Sequence, residues 1–334
     1  MKMMRWHEWT ARIVIVIIFV ILPVTILGYQ YGIRPATNGI RVIDVKAAAP
    51  EAGGFQPDGI QVQAGETVTL RFMADDVTHG IAIGPGLDVD LGPVDPGHVK
   101  EVTMTFDHAG TYTFYCNTWC SPNHWRMRGV IEVRDTANTI PIPQRDPVIE
   151  ALIAEGIDID AAHDSSNFEE SHDVLDTNPS GLRGENLIPH LSVPTELRDE
   201  VWRRSHTPMD GLDLLVMSNP GFNRSDLADA VAYLWAVDIS PSLAAQNLYN
   251  QNCAACHGET GDGDGPAASL TVNEPVAFSD IAYMFTRRSD VLYAKIRRGG
   301  MGTDMPNFGT LFTAEETWAL VDYLWSLSDS RLQP

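Results

Sequence analysis

From Ile13 to Gly28 the chain runs Ile-Val-Ile-Val-Ile-Ile-Phe-Val-Ile-Leu-Pro-Val-Thr-Ile-Leu-Gly without a charge. A run this apolar predicts a helix that lies in lipid. Lys2, Arg5 and Arg12 precede it, so the positive-inside bias puts the N-terminus in the cytoplasm and everything after the span on the periplasmic or extracellular side. Trp6 and Trp9 at one end and Tyr29 and Tyr31 at the other match the aromatic belts of a spanning helix. A cleaved signal peptide competes, because the run is short and Pro23 interrupts it. No small-residue cleavage site follows directly, which favours a retained single-pass anchor over residues 1–35.

From Gly39 to about Val133 the period changes to two. The segments Gly39–Val45, Thr67–Phe72, Val102–Phe106 and Thr111–Tyr115 each place apolar residues at every second position. Turn residues punctuate them at Pro57-Asp58-Gly59, Ala64-Gly65-Glu66, Gly84-Pro85-Gly86 and His108-Ala109-Gly110. Residues 36–135 therefore read as an all-β unit, a small antiparallel sandwich or barrel.

Residues 240–334 read as helical. A helix is expected to open at Ser240-Pro241, with Ser as N-cap and Pro in the first turn. Thr313-Ala314-Glu315-Glu316 is a capping box. The helix it starts carries Trp318, Val321, Leu324 and Trp325 on one face.

Between these units, residues 136–239 begin as a Pro-containing linker, Ile140-Pro141-Ile142-Pro143, and continue through an acidic, polar portion with the composition of solvated chain. The second half differs. Arg203-Arg204 through Met209, followed by Ala230-Val231-Ala232-Tyr233-Leu234-Trp235, echoes Arg297-Arg298 through Met305, followed by Leu320-Val321-Asp322-Tyr323-Leu324-Trp325. Upstream, Ile159-Asp160-Ala161-Ala162-His163 stands, at the same offset, where the later copy has Cys253-Ala254-Ala255-Cys256-His257. A degenerate copy of the C-terminal unit, without attachment cysteines, explains the echo; chance similarity between two amphipathic helices is the alternative. Haem binding by His163 and Met209 in that copy would require more than one haem per chain.

Composition narrows the function. With 334 residues, 44% of them hydrophobic, the chain can bury several cores. The formal net charge of −21 argues against a nucleic acid partner, since one polyanion repels another. It fits a basic protein donor, and equally a surface kept soluble by charge.

The sharpest chemistry follows the last alternating segment. Cys116-Asn117-Thr118-Trp119-Cys120-Ser121-Pro122-Asn123-His124-Trp125-Arg126-Met127 supplies two thiols, an imidazole and a thioether on one loop. Such soft donors select copper over hard cations. His79, ending Asp75-Asp76-Val77-Thr78-His79, can close the site, because sandwich folds gather their loops at one end. A structural zinc site leaves Met127 without a role, a disulfide leaves the imidazoles unused, and a mononuclear blue-copper site leaves Cys116 idle. His98 and His108 sit among turn residues and read as surface histidines.

This stretch resembles the CuA domain of cytochrome c oxidase subunit II, whose pattern C-x3-C-x3-H-x2-M is preceded by D-V-x-H. The resemblance implies a cupredoxin-like sandwich holding a dinuclear copper centre. Cys116 and Cys120 would bridge both coppers, His79 and His124 would each bind one, Met127 would be a weak ligand to one, and the carbonyl of Thr118 a ligand to the other. The family's oxidase members usually carry Glu at position 118, so the Thr leaves the carbonyl but removes any further metal bridge through that side chain.

The second motif, Cys253-Ala254-Ala255-Cys256-His257, is the C-x-x-C-H of c-type haem attachment: two thiols form thioethers to the porphyrin and the imidazole binds iron. Met305, in Thr303-Asp304-Met305-Pro306, is the expected sixth ligand in preference to Met301, because it resembles the Met-Pro of small cytochromes c. These residues imply a cytochrome c fold. All four cysteines are then used by two metal centres.

An anchor, a CuA domain and a C-terminal cytochrome c occur in that order in fused forms of subunit II, which the chain resembles. By that resemblance, a donor such as a cytochrome c passes electrons to the haem, then to CuA, then to the catalytic subunit of a membrane haem-copper oxidase. The chain itself moves electrons and transforms no substrate. Two departures stand out: one predicted span where the fused family has a two-helix hairpin, and no recognisable aromatic entry segment, for which Trp119 and Trp125 are candidates alongside core packing. A CuA subunit of a nitric oxide reductase and a free-standing anchored electron shuttle are the alternatives. The acidic residues Asp75, Asp76, Asp88 and Asp90 are candidates for donor docking.

Overall fold

A computed structural model describes residues 2–33, 39–87, 89–121, 124–141, 145–159, 177–239, 241–300 and 303–328. Asp88, His163, Ser240 and Met301 lie outside the described residues, as do the side chains of Lys2, Arg5, Trp6 and Trp125.

The N-terminal helix runs as α1 (Lys2–Val16), a π-helical turn (Ile17–Ile21) and α2 (Leu22–Gly28). Its apolar portion, Trp9–Tyr31, is 23 residues long with mean hydropathy 2.7 and none of it buried in the protein. At 1.5 Å per residue it spans about 34 Å, enough to cross a bilayer core of about 30 Å. Pro23 can offer no backbone N–H. The wide turn just before it accommodates the ring, and the Thr25 hydroxyl donates to the Ile21 carbonyl at 2.6 Å. The helix has the character of a membrane anchor or a signal sequence.

Nine strands follow: β1 (Arg41–Ala47), β2 (Phe55–Gln56), β3 (Gly59–Gln63), β4 (Thr67–Ala74), β5 (His79–Gly84), β6 (Val89–Val94), β7 (Val99–Thr105), β8 (Gly110–Tyr115) and β9 (Arg128–Arg134). They form two sheets, β2-β1-β4-β7 and β3-β9-β8-β5-β6, packed as a cupredoxin-like sandwich. The pairing is mixed, not wholly antiparallel as expected: β1 runs parallel to β4 and β3 parallel to β9. Each of these pairs joins strands distant in sequence, so the antiparallel geometry of a tight hairpin does not apply.

Alternation builds the sandwich core. Val68, Leu70, Phe72 and Ala74 of β4 point inward against Phe114 of β8 and Ile131 and Val133 of β9. β5 breaks the alternation, for all six of its residues are buried. Ile81 and Ile83 enter the sandwich core, while Ala82, with Tyr115 of β8, joins a second core made by the helices.

The linker is more ordered than its composition suggests. α3 (Pro147–Ala154) is capped by Asp146 and buries Leu152 against Ala294, and Asp146 also pairs with Arg297 at 2.7 Å. Residues 177–239 fold as α4 (Gly181–Glu185), α5 (Glu200–Arg204), α6 (Pro208–Ser218) and α7 (Arg224–Ala236). Leu212, Leu215, Val231 and Trp235 from this segment share one core with Tyr249, Phe285, Leu320 and Trp325 of the C-terminal unit.

That C-terminal unit comprises α8 (Leu243–Asn252), α9 (Ala254–His257), α10 (Ile281–Met284), α11 (Ser289–Arg298) and α12 (Ala314–Ser328). α8 starts later than expected. Its N-cap is Ser242, whose hydroxyl accepts from Ala245 N at 3.0 Å, so Pro241 stands before the helix and not in its first turn. The capping box at α12 forms as read, with Thr313 N donating to the Glu316 carboxylate at 2.6 Å and Glu316 N to the Thr313 hydroxyl at 3.1 Å.

Candidate metal centres

The first candidate centre lies where β5 begins and β8 ends. His79, fully buried, opens β5. Its Nε2 lies 2.9 Å from the Asp76 carboxylate, and its Nδ1 faces the Cys116 thiol at 3.9 Å. An N–H donated to Asp76 leaves the Nδ1 lone pair for a metal, the arrangement that fixes tautomer and ring orientation in metal-bound histidines. Burial alone would raise the Asp76 carboxyl, but hydrogen bonds from Ala49 N, His79 and Val77 N hold it below the usual range.

The loop after β8 supplies the other donors. Cys116 Sγ is 3.9 Å from Cys120 Sγ and 3.1 Å from the Thr118 carbonyl oxygen. Cys120 Sγ lies 3.6 Å from His124 Nδ1 and 3.9 Å from Met127 Sδ. The backbone sets this convergence: Cys116 N donates to Met127 O at 3.1 Å, and a single 3-10 turn, His124–Arg126, carries His124 back over the thiols. The sulfur separation is far beyond a disulfide bond, yet both sulfurs can reach a shared metal through bonds of about 2.3 Å. His79 and the two thiols gather within 4.8 Å of one another, with His124 Nδ1 and Met127 Sδ against Cys120; such a donor set fits copper, and the thioether distinguishes it from a structural zinc site.

The thiols are not equivalent. Cys116 is held below the ordinary thiol range by hydrogen bonding from Cys120 and from the backbone of Thr118 and Gly80, against the effect of burial. Cys120, hydrogen-bonded to Cys116 and partly buried, is pushed up to about 11. Metal binding needs both deprotonated.

The second candidate centre is a cavity of about 470 Å³ in the C-terminal unit, lined by Cys253, Cys256, His257 and Met305. His257 Nδ1 sits 3.0 Å from the Val276 carbonyl, packed against the Phe278 ring. As a donor there, Nδ1 leaves Nε2 for an iron atom. Tyr249 OH donates to Gly258 O at 2.8 Å and fixes the turn after the motif. The loop bearing Met305 is closed by Gly300 N donating to Met305 O at 3.1 Å. Gly299, at φ +77, passes so close to Met305 and Asn307 that a Cβ would meet their backbone at 2.7 Å. Burial pushes the Cys253 thiol up to about 12. An apolar cavity with two thiols and an imidazole at one wall and a thioether on its lining fits a covalently held haem.

The face of α12 that carries Trp318, Val321, Leu324 and Trp325 meets the cavity only at Leu324. Leu320 and Leu324 line the cavity; Trp318 stacks on Tyr293 instead, and Trp325 donates to Ser289 Oγ at 2.9 Å. Helical spacing identified an apolar stripe, but this helix is covered on several sides, so the stripe does not single out the cavity side. Met209 is buried at the start of α6, its N–H bonded to Phe285 O at 3.1 Å. The cavity beside Pro208 and Trp235 holds about 20 Å³, room for one water. His98 and His108 are exposed.

The sequence reading missed two features. Asp76 was a candidate for donor docking, and the structure turns it onto His79; the D-x-x-H spacing is its signal. Trp119 and His124, on the copper loop, also line the cavity of the second centre, a juxtaposition of segments that no local pattern announces.

Residues 242–328 match the cytochrome c family, so the chain carries a cytochrome c domain. It is 35% identical over 85 residues to cytochrome c oxidase subunit 2 of Thermus thermophilus, covering 25% of this chain and 61% of that protein. A second such subunit from the same species is also 35% identical over 85 residues, covering 25% of this chain and 49% of that protein. The chain thus spans less than two thirds of either relative. Among solved structures, it is similar to a chain of a heme-copper terminal oxidase dimer (20% identity, TM-score 0.26, covering 38% of this chain and 99% of that one). It is also similar to a purple cupredoxin from Nitrosopumilus maritimus (22% identity, TM-score 0.22, covering 28% of this chain and 98% of that one).

Proposed function

We propose that this chain is the electron-carrying subunit of a membrane haem-copper oxidase, anchored by its N-terminal helix with the N-terminus in the cytoplasm. Copper is held as a dinuclear CuA centre by Cys116, Cys120, His79, His124, Met127 and the Thr118 carbonyl. A c-type haem is attached at Cys253 and Cys256, with His257 and Met305 as axial ligands. When bound, the two cofactors supply one-electron redox chemistry. The chain's own residues do the rest: Asp76 orients His79, Val276 orients His257, and the sandwich and helices hold both ligand sets.

The observation that carries this reading is the coexistence, in one chain, of a thiol pair ringed by imidazole and thioether donors and a C-x-x-C-H cavity next to it. The similarity to cytochrome c oxidase subunit 2 supports the same reading. The region 136–239 carries a degenerate, haem-less copy of the cytochrome unit, whose described helices share a core with α12 and α10. Purification from membranes tests the function: the chain should bring down a polytopic, histidine-rich subunit, and the assembly should consume dioxygen. Nitric oxide consumption without oxygen uptake would replace the oxidase with a reductase, and purification alone would leave a free-standing shuttle.

A further inference from the structure

The two candidate centres share a wall. Trp119 and His124, from the copper loop, line the cavity that also contains Cys253, Cys256, His257 and Met305. His124 faces both ways, for its Nδ1 is 3.6 Å from Cys120 Sγ. Linked domains ordinarily move relative to each other unless the interface is extensive and apolar, so this shared wall means little unless something fixes it.

Three observations fix it. First, Arg128, directly after Met127 and opening β9, donates through Nη1 to the Asn307 carbonyl and reaches Asn307 Oδ1 at 3.4 Å. Its guanidinium centre also lies 5.4 Å from the Phe308 ring centroid. Asn307 is two residues from Met305, so one side chain ties the two ligand-bearing loops together. Second, Gly84 at the end of β5 presses on the helical unit so closely that a Cβ would stand 2.2 Å from the Leu311 carbonyl oxygen. Only glycine permits that approach. Third, Ala82 and Tyr115, the outward residues of β5 and β8, belong to the same core as Phe308, Leu311 and Phe312. At the rim, Gln251 donates to Asp90 at 3.3 Å.

We propose that the cytochrome unit is a permanent cap on the copper loop, held by Arg128 and by the bare backbone at Gly84, which closes the His124 face to any external donor. The face of the copper loop that carries His124 is then reached from the chain's own haem cavity. Arg128 is a positioning residue: it touches neither set of metal ligands with its side chain. The proposal rests on the electron-transfer reading above for its consequence, while the docked arrangement itself is independent of any metal.

The test uses the full-length holoprotein and two variants, Arg128→Gln and Gly84→Val, the second wedging the contact from the opposite side. Hydrogen exchange reads the docking directly. Both variants should lose protection of the amides from Asn307 to Phe312 while the copper and haem spectra stay unchanged, and Arg128→Lys should restore it in part. After flash reduction of the haem, transfer to copper should be slower in both variants than in the wild type. In the wild type, an external ferrocytochrome should reduce haem before copper. Wild-type protection and transfer in both variants, or copper reduced ahead of haem, would overturn the cap. A wild-type protein with no copper pair would remove the electron-transfer reading and leave the exchange measurement to decide the docking by itself.

Discussion

His79 reaches the copper loop from a different strand than the other donors, so its ring must be aimed by something other than loop geometry. Asp76 aims it, three residues upstream and itself anchored by Ala49 N and Val77 N. Carboxylates that orient a metal-bound imidazole commonly contribute ~10–100-fold in metal affinity. Asp76→Ala should therefore weaken copper binding by about that factor in competition against a chelator, and Asp76→Asn, which keeps an acceptor, should recover part of it. Equal affinity in all three proteins would remove Asp76 from the site. At Thr118, by contrast, only the main-chain oxygen faces Cys116, which explains why the departure from the usual Glu leaves the donor geometry intact. The thiols, imidazoles and thioethers of both candidate sets were legible as sequence because their chemistry is rare and their spacing fixed. Asp76 stood in the D-V-x-H pattern, but its orienting role was not legible, because an acidic residue in a turn reads as solvated unless its partner is known.

Elements were legible where one face meets a core and the other meets water. β4 alternates strictly and was read correctly to within two residues, and the Thr313 capping box marked the start of α12. β5 was missed because both its faces are buried, one in the sandwich and one against the helices, which erases the alternation. α3 was missed because its short apolar run gains its partners from segments distant in sequence, among them Ala294 and Val291 of α11. α12 shows the same effect, since the segment 177–239 covers it on the side away from the cavity. Asp322 on that helix has its pKa raised by burial; Arg204 opposes the shift and Glu200 adds to it. A raised folded-state pKa means that the folded form binds the proton more tightly. Its stabilisation is therefore complete below the unfolded value of about 3.9 and is lost as pH rises through the folded value. Asp322→Asn should melt at higher temperature than wild type at pH 7, with the difference vanishing at pH below about 4. A variant less stable than wild type at pH 7 would contradict the burial of that carboxylate.

The whole molecule joins a cupredoxin-like sandwich to a cytochrome c domain, with four cysteines, all free thiols and grouped as 116 with 120 and 253 with 256. Neither pair is a structural crosslink, so the sandwich is stabilised by its alternating core and the cytochrome unit by the helices packed around it, including those of residues 177–239. The sequence separated these units by period and motif; it could not show that β5, β8 and β9 present their outer face to the Met305 loop, because that contact joins residues about half the chain apart. The net charge of −21 leaves the surface suited to a basic donor. The account depends most on what the copper loop holds, and paramagnetic resonance combined with metal analysis of the intact holoprotein tests it directly. Two coppers and one haem per chain, with a hyperfine pattern from one electron shared equally by two copper nuclei, is the predicted result. Zinc, or a single copper with its electron localised on one nucleus, would contradict it.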